Sequence, residues 1–464
     1  MNAFYKQPEQ TVHPITKSGS VRVQAHDSSL SFGIFLFVHP FLALAMSRSS
    51  MLSTADAVLT ILVGLMIAIF SRDERKVSYV ASYIVGAEVL WRMTNAGVFW
   101  EVGKYAVSAL FLITLIKNHR LNIAAISTLY FLLLLPSTVY TIDSSSFSDA
   151  RSLISFNLSG PFSLMVCAWF FTSFPITRSQ LQRMIMFLIV PVTGIAAIAI
   201  YSTFTHSLIL FTNQSNFITS GGFGPNQVSS ILGLASLLLF LYMLISQEGR
   251  TTKIALSVLL LLFAFQSALT FSRSGLYLAG AGLAVASVFL SRNTGTLIRT
   301  IFFFLLIYLI SRYLFLPWVD NFTQGQLIQR FQNLSLTGRD LIARSDWSIW
   351  MDNFWLGVGP GMSDSFHSLY FRLSASHVEF TRLLAEHGFL GLLSLILLVL
   401  MGASSMQHAK GAVNKAFVAA LLVWFLGFLA SNDMRLGAPS FLFGLAMNQV
   451  FITEDMLQIA TNGK

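Results

Sequence analysis

Long apolar stretches recur along this chain from position 32 to position 452, separated by short polar connections. The alternating segments of about ten residues that mark an outer-membrane barrel are absent. A helix that crosses a bilayer needs about 20 mostly apolar residues. Inside lipid it must satisfy every backbone N–H and C=O within itself. The pattern therefore predicts an all-α polytopic membrane protein with about 14 spans, 12 to 14 in range.

The predicted spans centre on 32–46, 55–70, 80–93, 102–116, 121–140, 158–174 and 184–203 in the first half. In the second half they centre on 227–245, 254–270, 275–290, 298–316, 389–402, 416–431 and 440–452. The first is short and holds Pro40; the third holds Glu88 and Arg92, whose spacing reads as a buried ion pair. Basic residues alternate between connections. Arg72/Arg75/Lys76, Lys117/Arg120, Arg178/Arg183, Arg250/Lys253, Arg292/Arg299 and Lys410/Lys415 mark one set; Arg48, Arg151, Arg273 and Arg435 stand alone in the other. Short loops rich in Lys and Arg stay cytoplasmic, which puts both termini inside. The expected division is a cytoplasmic tail at 1–30, spans 1–11 over 31–316, an outside loop at 317–376, spans 12–14 over 377–454, and a second cytoplasmic tail at 455–464.

Composition agrees: 55% of residues are hydrophobic, 11% are charged, and mean hydropathy is +0.68, far from a soluble balance. The net charge of +9 is dispersed between spans, which argues against nucleic acid. The single cysteine, Cys167, lies in an apolar run and reads as core; the first 30 residues lack the apolar region of a signal peptide. The run Ala279-Gly280-Ala281-Gly282 reads as close helix packing.

The long loop is where function is expected. Trp347, Trp350, Met351 and Phe354 fall on one helical face that suits the membrane interface. Four polar segments gather at the outside ends of the spans: 221–227 (GGFGPNQ), 271–275 (FSRSG), 338–361 with its Gly-rich end GVGPG, and 376–388. Each has a plain alternative. Arg273 is costly between two apolar helices unless it is paired or reaches lipid phosphates. Arg339 reads as a solvated loop arginine, and the glycine run as a turn, since Pro360 removes a donor and no phosphate-loop pattern matches. His377 suits proton transfer near neutral pH, or is a helix-end histidine beside the pairs Glu379/Arg382 and Arg382/Glu386. His387 and Gly388 read as the end of that short helix, and His367 as a surface residue. Two guanidiniums and a histidine at one membrane face suit a diphosphate leaving group. Arg binds phosphate oxygens bidentately and never loses its charge, and a base can activate an incoming hydroxyl. No cluster has metal-ligand spacing.

The set GFGPNQ at 222–227, FSRSG at 271–275, GRD with the W-x-x-W helix and GVGPG at 338–361, and SHVEFTRLLAEHGFLG at 376–391 resembles the O-antigen ligase and O-antigen polymerase superfamily, in order and spacing, over roughly 180–430. The resemblance implies a glycosyltransferase of the bacterial inner membrane. Its donor would be a polyprenyl (undecaprenyl) diphosphate-linked oligosaccharide, and its acceptor a saccharide or lipid A-core at the periplasmic face. It implies inversion at the anomeric carbon and no metal or cofactor. By resemblance Arg273 and Arg339 bind the diphosphate and His377 is the base; Asn226, Trp347, Glu379 and Arg382 are the candidate substrate-binding residues. Many members read His-Asn where this chain reads His377-Val378-Glu379. That leaves open whether Glu379 assists His377 or recognises an acceptor hydroxyl. The span count favours polymerase over ligase.

A lipid-linked saccharide flippase or secondary transporter is the alternative, with Glu88 and Arg92 lining a pathway. The absence of an internal repeat and the gathering of polar residues at one face count against it. A metal-dependent glycosyltransferase would place acids in the first outside loop, yet 47–54 holds none; Asp143 and Asp149 lie in a later one.

Overall fold

The computed structural model describes residues 21–120, 124–291, 294–333, 338–370 and 378–448. Among these, all regular structure is helical. Eight helices are long and apolar enough to cross a bilayer: Ser50–Phe70, Phe147–Ser173, Arg178–Thr205, Pro225–Ile245, Arg250–Leu269, Leu297–Thr323, Glu379–His408 and Gly411–Leu429. Gly33–Met46, Ser274–Leu290 and Gly437–Ala446 are shorter apolar helices. Lys76–Met93 holds Lys76, Glu88 and Arg92, and Val102–Lys117 has only 16 residues, which keeps both out of the first group.

Several boundaries differ from the pattern-based expectation. Segment 121–140 does not form one helix but two short ones, Ala125–Leu132 and Thr138–Ser144. Pro136 between them has no N–H to continue a helix. Farther along, Thr294–Ile310 passes through a wider π turn at Ser311–Phe315 into Leu316–Thr323. Pro317 cannot donate to the carbonyl four residues back, and the π turn sits where that bond is missing. The long connection therefore begins after Thr323 rather than at 317. Residues 21–30, expected in a tail, open the helix Val21–Met46; 1–20, the expected tail at 455–464 and the end of the last predicted span lie outside the described residues.

The bundle is assembled by close helix pairs: 76–93 on 178–205, 147–173 on 437–446, and 225–245 on both 250–269 and 274–290. The last pair decides the site. A Cβ added to Gly275 would lie 1.9 Å from the Ser229 carbonyl oxygen, and one on Gly233 2.2 Å from the Gly275 oxygen. Only glycines let these backbones touch, and their contact pins the 271–275 turn against the start of the 225–245 helix. Cys167 is fully buried, as expected of core.

Candidate functional site: a cavity lined by three arginines

The site is built on a strained turn. Phe271 has φ 59°, a left-handed conformation uncommon outside glycine. Its ring is fully buried and stacks on Phe211 at 5.3 Å, which holds the conformation in place. The Ser229 hydroxyl donates to the Ser272 carbonyl at 2.9 Å, and the Ser272 hydroxyl donates to Asn226 Oδ1 at 2.7 Å. Asn226 is in turn set by Pro225, which starts its helix in the position proline favours. Reversing the chain at Phe271 leaves Arg273 at the head of the 274–290 helix, where its guanidinium donates to the Asn333 carbonyl.

Two more arginines come from the long connection. Arg330, on the helix Gln326–Gln332, is 7% exposed; its Nε donates to the Phe271 carbonyl and its Nη1 to the Asn213 carbonyl, each at 3.0 Å. Arg339 opens the helix Arg339–Asp352. These three arginines, with Asn226, Ser272, Ser274, Gln214 and Ser215, line one cavity of about 250 Å³. Among the described residues, no Asp or Glu lines it. Arg339 is held below the ordinary arginine pKa, first by burial and then by the repulsion of Arg273 and Arg330. Arg330 is lowered in the same way, by burial and then by Arg273. An arginine side chain keeps its charge at neutral pH. The mutual repulsion of the three is what a bound anion would relieve. The volume is below the ~300–1,000 Å³ of drug-sized ligand sites, so it suits an anionic headgroup rather than a whole oligosaccharide.

Three predicted site residues thus meet: Arg273, Arg339 and Asn226. The described ones among the others stand elsewhere. His377 lies outside the described residues. Glu379 and Arg382 do not line this cavity; they belong to a buried network at the start of Glu379–His408. Arg382 pairs with Glu379 at 2.7 Å and Glu386 at 2.6 Å and donates to Asn157 at 2.7 Å, and none of the three charged side chains is more than 4% exposed. Trp347 is 51% exposed, its ring 4.8 Å from the buried Trp350, so the predicted aromatic face is split between solvent and core. Glu88 and Arg92 form the expected buried pair at 2.6 Å.

The glycine run at 357–361 is a clasp. Gly388 has φ 61° and ψ −138°, a break inside Glu379–His408, which is where the sequence placed the end of a short helix. Val358 and Gly359 donate their N–H groups to the carbonyls of Ala385 and Glu386, each at 3.0 Å. A Cβ on Gly388 would lie 2.6 Å from the Gly357 nitrogen. His367 corrects an expectation: it is fully buried, not a surface residue. It pairs with Asp346 at 2.7 Å, whose other oxygen accepts from Thr381 at 2.6 Å.

Arg330 was missed by sequence reasoning, together with Gln214 and Ser215. One signal existed: Arg330 stands three residues after Leu327, and both are on the buried face of a short helix. Among the described residues, no three His, Cys, Asp or Glu side chains group as a metal site. No protein-family profile and no curated protein sequence matches this chain.

Proposed function

We propose that the chain transfers a glycan from a polyprenyl-diphosphate carrier to a saccharide or lipid A-core acceptor, in the manner of the O-antigen ligase and polymerase superfamily that it resembles in sequence. The observation that carries this reading is the cavity lined by three guanidiniums and, among the described residues, no carboxylate. Such a set neutralises a group with several negative oxygens through charge-assisted hydrogen bonds.

Arg273 and Arg339 bind the diphosphate of the donor, and Arg330 adds a third charge while its hydrogen bonds hold the turn. The acceptor hydroxyl oxygen bonds to the anomeric carbon as the bond from that carbon to the phosphate oxygen breaks. The electron pair leaves with the polyprenyl diphosphate, whose growing charge the arginines stabilise. His377 takes the hydroxyl proton. Glu379 and Arg382 act as positioning residues: their buried pair fixes the helix that begins two residues after His377. The face of the bacterial inner membrane at which this occurs is the periplasmic one, on the argument of basic loops staying inside.

The test is transfer in vitro with purified protein and a polyprenyl-diphosphate oligosaccharide, comparing wild type with Arg273→Lys and His377→Ala. The expected result is glycan product and released polyprenyl diphosphate from wild type, largely lost in both variants. Movement of the lipid across the bilayer without bond cleavage would instead establish the flippase reading.

A further inference from the structure

We infer that a second cavity, between the ends of the 76–93 and 102–117 helices, is a saccharide subsite for the glycan carried on the diphosphate. The inference rests on the diphosphate reading of the first cavity. This second space measures about 210 Å³ and is lined by Glu88, Arg92, Asn95, Phe99 and Trp100, among others.

Its chemistry differs from that of the arginine cavity. The one arginine is matched by a carboxylate, Glu88, at 2.6 Å, so the space carries little net charge. Two aromatic rings open to the outside: Phe99 is 57% exposed and Trp100 41%. Sugars present apolar C–H faces that lie well on aromatic rings, and a rim of hydroxyls that needs fixed polar partners. Arg92 provides such a partner. Its side chain is 6% exposed, and its Nη atoms are used by Gln227, Glu88 and the carbonyls of Trp100 and Arg435. Its Nε, though buried, has no hydrogen-bond partner among the described residues. A buried donor left without an acceptor is costly, and a ligand hydroxyl would satisfy it. The guanidinium sits 4.4 Å from the centre of the Trp100 ring and backs it, which fixes the ring as a platform.

Position links the two cavities. Asn226 lines the arginine cavity, and the next residue, Gln227, accepts from Arg92 Nη1 at 3.0 Å. Adjacent Cα atoms are about 3.8 Å apart, so the head of the 225–245 helix places one residue on the arginine cavity and its neighbour on an arginine that lines the second cavity. Phe223, just before it, approaches Trp100 at 6.2 Å. A diphosphate seated on the arginines would thus have its first sugars beside Trp100.

The experiment uses full-length protein in lipid nanodiscs and two probes. One is sugar-free polyprenyl diphosphate; the other is the lipid-linked oligosaccharide extracted from cells in which this gene is deleted. Trp100→Ala and Phe99→Ala are compared with wild type and Arg330→Gln, with thermal melting as the check on folding and Trp100→Phe as the variant that keeps a ring. The expected result is about tenfold weaker binding of the oligosaccharide lipid by Trp100→Ala, with binding of the sugar-free lipid unchanged and Trp100→Phe close to wild type. If Trp100→Ala and Phe99→Ala bind both lipids as wild type does while Arg330→Gln weakens both, the saccharide subsite is wrong and the diphosphate reading stands. Equal weakening of both lipids by Trp100→Ala also overturns the subsite, making the ring a membrane anchor. If wild type binds neither lipid, the diphosphate reading fails and the subsite with it.

Discussion

Replacing Arg330 with Gln tests the cavity most directly, because this arginine combines two roles that can be separated. Its Nε and Nη1 hold the carbonyls of Phe271 and Asn213, each at 3.0 Å. Hydrogen bonds to a charged group contribute about 1.5–3 kcal/mol each, of which a Gln amide restores part. Losing the charge also relieves repulsion on Arg339. These effects offset one another, so only a modest change in melting temperature is expected. With ligand the balance tips one way. A unit charge about 6 Å from a phosphate oxygen contributes about 3 kcal/mol at an effective dielectric near 20. Screening in a partly open cavity leaves about 1.4–2 kcal/mol, roughly ten- to thirtyfold in Kd. The assay is titration of polyprenyl diphosphate into the protein in nanodiscs at low and high salt. Arg178→Gln is the control, because Arg178 binds the Ile245 carbonyl at the opposite end of the 225–245 helix. A folded Arg330→Gln protein that binds within about twofold of wild type would refute the electrostatic reasoning.

Arg382→Met should destabilise the protein by about 3–5 kcal/mol, because it leaves Glu379 and Glu386 buried without their partner; thermal melting in detergent measures it, and an unchanged midpoint would show the network to be dispensable. Gly275→Ala forces a Cβ to within 1.9 Å of the Ser229 oxygen and should cost about 1–3 kcal/mol or more, with weaker anion binding as the turn shifts; a wild-type melting curve with wild-type binding would count against the role given to the glycine contact. The pKa of His367 is a balance: burial lowers it, but the hydrogen bond and charge of Asp346, then Asp364 and Glu386, raise it above its ordinary 6.5. The folded state therefore holds the proton more tightly than the unfolded chain, so this contribution to stability is full below pH 6.5 and is lost as pH rises through the folded value. Melting from acid to alkaline pH should show that decline in wild type and not in His367→Gln; identical profiles would disprove the assignment.

The apolar pattern alone determined that this is a helical membrane protein, because lipid leaves few other ways to satisfy a backbone. It also drew attention to Arg273, since a charge between two apolar helices is costly unless used; Asn226 and Arg339 entered as candidates through the resemblance of their motifs. Prolines limited the span count. Pro136 divides one expected helix, and the π turn beside Pro317 lets another run on to Thr323. Both effects depend on which neighbours satisfy the backbone left without a donor, and hydropathy does not record that.

Tertiary structure alone decided who shares a cavity. Arg330 reads in sequence as one more loop arginine, and only folding brings it to the Phe271 carbonyl, 59 residues away in the chain. The glycines of 357–361 look like a free turn until Gly388 and the carbonyls of Ala385 and Glu386 are set against them. Spacing read Glu379 and Arg382 as an ion pair and the resemblance made them candidate substrate contacts, whereas burial against Glu386 and Asn157 turns them into a brace. Residue type and helical period are local and can be read along the chain. Burial, the neutralisation of charge and the meeting of distant loops are set by how the helices pack.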